Sequence, residues 1–112
     1  MLQLINSKLT IDNSRVTLGN YLRNSGQLNL MNGSILTGST IQFGENGGNN
    51  GIITVDNSEF TITTGNNAGH AFDGKGCGKI VANNYAKVSV EYYKAMTIEY
   101  DTTSTFTGTE VQ

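Results

Sequence analysis

The chain has 112 residues, enough for one domain or for part of a larger one. Gly, Asn and Thr occur 14 times each and Ser 8 times, whereas Pro and Trp are absent and only 14% of the residues are charged. This composition favours short strands and tight turns over long helices. The net charge of −2 provides no basic surface for nucleic acid, and the 37% of apolar residues recur too regularly for a disordered chain.

Targeting signals are not visible in the sequence. No apolar run is long enough for a membrane-spanning helix, and residues 1–6 contain no charged segment followed by an apolar stretch, so we identify no signal peptide. For an exported protein we therefore expect a signal that lies upstream or has been removed. The single cysteine, Cys77, cannot form an internal disulfide.

Short alternating runs separated by polar corners occur along the whole chain. In chain order, we predict strands at residues 2–4, 9–11, 16–18, 28–30, 35–36, 41–43, 53–55, 60–62, 79–82, 87–92 and 96–100. Glycine-rich loops at 44–51 and 65–78 and a threonine-rich tail interrupt or follow them. The last part of the chain has a second interpretation, a hairpin that turns at residues 93–95.

One corner motif recurs at a nearly constant interval. It consists of an asparagine that follows an alternating strand, and its copies are Asn6, Asn32, Asn57 and Asn83. Asn is the non-glycine residue that best tolerates the positive φ of a sharp corner. We therefore predict that these four side chains stack into an amide ladder, in which each bonds its neighbours.

A period in the mid-twenties is typical of a solenoid. With three strands in each repeat, the sequence predicts an all-β, right-handed parallel β-helix of about four coils, at roughly 1–26, 27–51, 52–78 and 79–112, as a single domain or as a fragment of a longer one. A β-sandwich of about eight short strands is the alternative, although a sandwich has no reason to repeat one corner at this interval.

The repeat and its asparagine corners resemble the right-handed parallel β-helices of the pectin-lyase-like group. These occur in bacterial surface adhesins, autotransporter passenger domains, phage tail spikes and polysaccharide lyases. The resemblance covers nearly the whole chain and implies the solenoid fold. It implies no single activity, because proteins with this fold have many unrelated functions.

Candidate catalytic residues do not form a recognisable motif. The four aspartates and five glutamates are scattered, and Asp56 and Glu59 bracket a corner as solvated turn residues do. Asp12 and Asp56 lie near equivalent corners but not at a spacing that defines a pair. Because acid–base catalysis needs a defined mutual geometry, we assign no catalytic residues.

The loop at 65–78 contains the only histidine and the only cysteine. His70, Asp73 and Cys77 are residue types that bind metals, and Cys with His forms a nucleophile and a base. Their spacing matches no zinc site, and residues 74–78 lack the Lys-Ser/Thr ending of a phosphate loop. We therefore predict no metal or cofactor and interpret this segment as an exposed loop.

Tyrosines are concentrated in the last third of the chain. Tyr85, Tyr92, Tyr93 and Tyr100 are candidates for stacking on sugar rings or for a protein interface if they are exposed. The same spacing also suits side chains that fill the core or cap one end. Both interpretations remain open at this stage.

The leading functional interpretation is a non-catalytic structural or adhesive segment of an exported surface or fibre protein, located outside the cell or at its surface. It would act through contacts with a protein or glycan partner. The alternative is a tail-spike or lyase-like protein that binds or cleaves polysaccharide. Because no helix covers the strand edges of the N-terminal coil, we also expect self-association through that edge, with the tyrosine-rich segment as a partial cap at the other end.

Overall fold

The computed structural model describes residues 2–19, 21–43, 51–63 and 72–110, without the side chains of residues 21, 41–43 and 72–77. These residues form twelve strands, and none of them lies in a helix, so no membrane-spanning helix is found among them. The strands are β1 (Leu2–Leu4), β2 (Lys8–Asp12), β3 (Arg15–Thr17), β4 (Tyr21–Asn24), β5 (Gln27–Met31), β6 (Ile35–Gly38), β7 (Thr40–Phe43), β8 (Ile52–Asp56), β9 (Glu59–Ile62), β10 (Phe72–Asn83), β11 (Lys87–Tyr100) and β12 (Thr105–Glu110).

The strands form one curled sheet in which every described pair is parallel. β1 pairs with β4, β2 with β5 and β3 with β6. On their other sides, β4 pairs with β7, β5 with β8 and β6 with β9. As far as β9, the chain therefore returns to the same ladder after every three strands. This confirms the predicted all-β fold of stacked parallel strands, and it differs from the β-sandwich alternative, whose sheets are antiparallel.

Three ladders result from this pairing. The first contains β1, β4, β7 and the start of β10, the second contains β2, β5, β8 and the end of β10, and the third contains β3, β6, β9 and the start of β11. β11 bends at Ala95, where φ is +53°, and its end pairs in parallel with the end of β10. The alternative of a hairpin at residues 93–95 is therefore wrong.

The inward-facing side chains form apolar columns across the ladders. In the second ladder Leu28 pairs with Ile53 and Ile53 with Ile80, and all three are fully buried. The third ladder has an equivalent buried column of Leu36, Phe60 and Val88. Because each fully buried side chain of this size contributes roughly 1.5–3 kcal/mol, the columns supply much of the stability of the fold.

The length of each circuit varies, in contrast to the uniform period that the asparagine spacing suggested. One column of the second ladder consists of successive partners: Leu9, Leu28, Ile53, Ile80 and Ile98. The first circuit, from Leu9 to Leu28, and the last, from Ile80 to Ile98, are much shorter than the two between them. The predicted interval thus describes only the middle of the chain. The first circuit returns through β4, which the alternation did not reveal, and the last circuit returns to the second ladder within β11 itself.

The turn between β4 and β5 brings two backbone segments into close contact. A Cβ atom on Gly26 would overlap the carbonyl oxygen of Ser7 and lie 2.6 Å from its backbone nitrogen. That same oxygen accepts a hydrogen bond from the backbone nitrogen of Gln27 at 2.8 Å. Backbone on both sides of the contact is held by pairing, so neither side can move away freely.

We expect Gly26→Ala to lower the free energy of unfolding by more than about 2 kcal/mol, since the added methyl group meets fixed backbone. Gly19→Ala is the matched control, because nothing lies within 4 Å of the position that its Cβ would occupy. We expect the control to change stability by less than about 1 kcal/mol. Denaturant titrations of both variants test this, and equal losses would contradict the close contact.

Candidate functional site

The turn between the second and third ladders is built from asparagines in the left-handed conformation. We call this turn the Asn corner, and it contains Asn13, Asn32, Asn57 and Asn84 in successive circuits. Their φ angles are 49°, 57°, 48° and 56°, a region that excludes most side chains but that Asn tolerates. Each corner turns the chain sharply, so the strands on either side can remain straight.

The four asparagines predicted to share one column do not all do so. Asn32 and Asn57 occupy equivalent corner positions, as expected. Asn6, with a φ of 48°, lies instead in the turn between the first and second ladders. Asn83 is the last residue of β10 and pairs with Asp56, so its neighbour Asn84 occupies the corner. The uneven circuit lengths account for both differences.

Hydrogen bonds at the Asn corner join asparagine to aspartate rather than one amide to the next. The Nδ2 atom of Asn32 donates to Oδ1 of Asp12 at 2.8 Å, and Nδ2 of Asn84 donates to Oδ1 of Asp56 at the same distance. In both cases the acceptor belongs to the preceding circuit. The aspartates at these corners therefore link neighbouring circuits, a role that the predicted amide ladder had given to asparagine alone.

A column of serine hydroxyls lies beside the Asn corner and was not foreseen. The backbone nitrogen of Ser14 donates to Oγ of Ser34, and that of Ser34 donates to Oγ of Ser58, each at 3.1 Å. The backbone nitrogen of Ala86 donates to Oγ of Ser104 in the same way. Ser34, Ser58 and Ser104 are buried. The sequence signal was the serine that follows each of the first three corner asparagines directly or after one glycine.

The last corner is closed by the carboxylate of Asp101. Its Oδ2 atom accepts a hydrogen bond from the backbone nitrogen of Asn84 at 2.9 Å, and its Oδ1 atom accepts from Oγ1 of Thr103 at 2.8 Å. The bond from Asn84, together with those from the hydroxyls of Thr103 and Ser104, lowers the pKa of Asp101 from 3.8 to about 2. The ionised carboxylate is thus the form that the fold stabilises.

A shallow groove of about 410 Å³ runs along the outside of the Asn corner and the third ladder. Its lining includes Asn57, Glu59, Tyr85, Lys87 and Thr105. Glu59 and Lys87 are exposed and lie side by side, because they are paired residues of β9 and β11. The groove therefore presents an acid, a base, an amide and a hydroxyl beside one exposed aromatic ring.

The tyrosine candidates divide between two surroundings. Tyr93 packs edge-on against Phe106 with ring centroids 5.4 Å apart, and Tyr100 stacks on the same ring at 6.5 Å. Tyr92 is half-buried. By contrast, 77% of Tyr85 is exposed, and it is the only one of the four in the lining of the groove. Of the predicted binding aromatics, Tyr85 alone is placed to meet a ligand there.

The predicted loop at 65–78 is wrong from residue 72 onward, because residues 72–78 begin strand β10 and pair with β11. His70 lies outside the described residues, as do the side chains of Asp73 and Cys77. Among the side chains that the structure does describe, no group of three His, Cys, Asp or Glu residues is arranged to hold a metal ion.

Comparison of the chain with known proteins gives no match to a family model, to a curated protein or to a solved structure.

The lowered pKa of Asp101 predicts an acid-sensitive contribution to stability. Because the folded-state pKa lies below 3.8, the stabilising effect is fully present above that pH and is lost as the pH falls towards about 2. We therefore expect the difference in unfolding free energy between the wild type and Asp101→Asn to be constant above pH 3.8 and to shrink below it. Denaturant titrations at a series of pH values measure this difference.

Thr103→Ala provides a second variant, because it removes one donor and leaves the carboxylate in place. The pKa of Asp101 should then rise towards 3.8, which a carbon-detected NMR titration of the carboxyl group reports directly. A stability difference that is the same from pH 2 to pH 6, or a pKa that the threonine substitution leaves unchanged, would contradict the role of these bonds.

Proposed function

We propose that the chain is a segment of a right-handed parallel β-helix and that it serves as a non-catalytic scaffold in an exported surface or fibre protein. Support comes from the return of the chain to the same ladders in each circuit and from the repeated Asn corner. In such a fold each circuit contacts only its neighbours, so the molecule grows in one direction. That property suits an elongated stalk.

The observation that carries this proposal is the role of the corner aspartates. Asp12 and Asp56 each accept a hydrogen bond from an asparagine of the next circuit, and Asp101 accepts bonds from Asn84 and Thr103. A glycosidase or lyase needs carboxylates or bases that are directed at a substrate. Here these three carboxylates are directed at the corners, where they hold successive circuits together.

The outer face of the third ladder supports the adhesive part of the proposal. Its central outward column contains hydroxyl side chains from five strands in register: Thr17, Thr37, Thr61, Ser89 and Thr107. This column is uncharged and can exchange hydrogen bonds with a protein or glycan without a reaction. A location outside the cell or at its surface belongs to the same proposal.

The scaffold proposal predicts that the protein does not cleave polysaccharides. Incubation with a panel of acidic and neutral glycans should release no reducing ends and no unsaturated sugars above the level of buffer. Release of either product would instead favour the tail-spike or lyase-like alternative. In that case Asp56→Asn, His70→Ala and Asp73→Ala would show whether a corner or the segment at 65–78 is responsible.

Self-association through the N-terminal strands is a further part of the proposal. β1, β2 and β3 each pair on one side only among the described strands. Leu9 and Val16, on β2 and β3, are only half-buried, whereas their ladder partners Leu28 and Leu36 are fully buried. Free strand edges beside partly exposed apolar side chains favour the addition of strands from a second copy.

We expect the sedimentation coefficient of the wild type to rise with concentration. Thr17→Lys places a charge on the edge strand β3 and should abolish the rise, because edge lysines oppose strand addition. Thr61→Lys is the matched control, since it adds the same charge in the same column on β9, which is paired on both sides. A wild type that stays monomeric, or two lysine variants with the same effect, would refute association through this edge.

A further inference from the structure

Tyr85 occupies a position at which neither the backbone nor the packing favours a tyrosine. It follows the corner residue Asn84 in the same way as Gly33 follows Asn32, and both residues have positive φ, 62° for Tyr85 and 78° for Gly33. This conformation costs nothing for glycine but is strained for a bulky side chain. With 77% of its surface exposed, Tyr85 gains little from burial in return. Strain of this kind, without a structural gain, is typical of functional sites.

The corner holds Tyr85 in this conformation through a hydrogen bond from its own backbone. Its nitrogen donates to Oγ1 of Thr103 at 2.9 Å, and Thr103 is in turn held by the carboxylate of Asp101. The strained residue is therefore fixed by a network and does not depend on contacts of its ring. The aromatic ring is free to serve another purpose at the rim of the groove.

The groove beside Tyr85 extends across four strands. Its floor includes the outward column of Ile35, Glu59, Lys87 and Thr105, which are neighbours in register. At the usual strand separation this column is about 14 Å long. Glu59 accepts hydrogen bonds, Lys87 donates them, and their charges cancel. The groove is thus long, shallow, polar and without net charge from this pair.

We propose that this groove binds a neutral oligosaccharide, with one pyranose ring stacked on Tyr85 and its hydroxyl groups bonded by Glu59 and Lys87. A pyranose has an apolar face of C–H groups, which suits an aromatic ring, and a rim of hydroxyls, each of which both donates and accepts hydrogen bonds. Because the ligand belongs to the adhesive role proposed above, this site rests on that proposal.

Other classes of ligand fit the groove less well. An added peptide strand needs a free sheet edge, but β9, in the floor of the groove, is already paired with β6 on one side and β11 on the other. An acidic glycan would bring its carboxylates close to Glu59. Nucleic acid would find a single lysine among the described residues of the lining, in a chain of net charge −2. Neutral sugar requires neither a free edge nor an excess of charge.

The test is titration of the full chain with neutral tetrasaccharides of glucose, mannose, galactose and N-acetylglucosamine, with binding detected by saturation-transfer NMR. We expect at least one of them to bind, and we expect Tyr85→Ala to weaken that binding by at least about tenfold. Tyr85→Phe should retain it, because the ring remains. Tyr100→Ala is the control for loss of an exposed tyrosine elsewhere, and it should bind as well as the wild type.

Tyr85→Gly separates binding from folding. Since Gly33 adopts the equivalent conformation without strain, this variant should be at least as stable as the wild type and should still lose sugar binding. The site is refuted if no neutral tetrasaccharide binds at concentrations up to about 10 mM, beyond the millimolar affinity of a weak site. It is equally refuted if Tyr85→Gly binds the sugar as tightly as the wild type does. Tetragalacturonate serves as an acidic comparison sugar, and binding of this sugar alone would also refute the site. Each of these outcomes concerns the groove alone, whereas release of sugar fragments would overturn the proposed scaffold function.

Discussion

The constraint on which the rest of this fold depends is the need to satisfy buried backbone groups at each corner. A corner leaves the regular pairing of a ladder, so its N–H groups would lose their partners inside the molecule. The column of serine hydroxyls solves this problem, because the backbone nitrogen of Ser14 or Ser34 donates to the hydroxyl of the next circuit. An unsatisfied buried donor costs roughly 1–3 kcal/mol, so each of the three corners with such a bond is stabilised by it.

Once the corners are satisfied, the apolar columns follow from the geometry. The left-handed asparagines turn the chain sharply, and the strands between them then pair in register over successive circuits. Leu30 and Val55 stack in this way and are fully buried. Polar bonds at the corners therefore determine where each strand begins, and the hydrophobic effect supplies the energy of packing between them.

Much of this arrangement could be predicted from the sequence, because alternation and asparagine corners are local signals. The strands around Asn57 are a clear case, since Ile53, Val55, Phe60 and Ile62 all face the core as their spacing indicates. The parallel stacking followed from the recurrence of that unit. Tyr85 was a candidate binding aromatic for a different reason, namely its place in a cluster of tyrosines.

Two strands could not be predicted, because their inward positions break the apolar pattern. In β4 the buried position after Leu22 is Asn24, whose Nδ2 atom donates to the carbonyl oxygen of Ile52 and whose Oδ1 atom accepts from Gly26. No local pattern reveals that this buried asparagine will bond a carbonyl group as distant in sequence as that of Ile52. β12 has the same difficulty, since Phe106 is its only large apolar residue. The column of Asn13, Asn32, Asn57 and Asn84 was missed as a consequence.

The unequal spacing of ladder partners has a consequence for how such a chain can change. The circuit from Leu28 to Ile53 is longer than the one from Ile80 to Ile98, yet all four residues belong to one column. The difference in length lies in the residues between these ladder partners, while the partners themselves keep their register. Segments of different length between strands are therefore compatible with the same register. By the same reasoning, a foreign epitope or recognition peptide inserted between two strands should leave the pairing of those strands in the ladders intact.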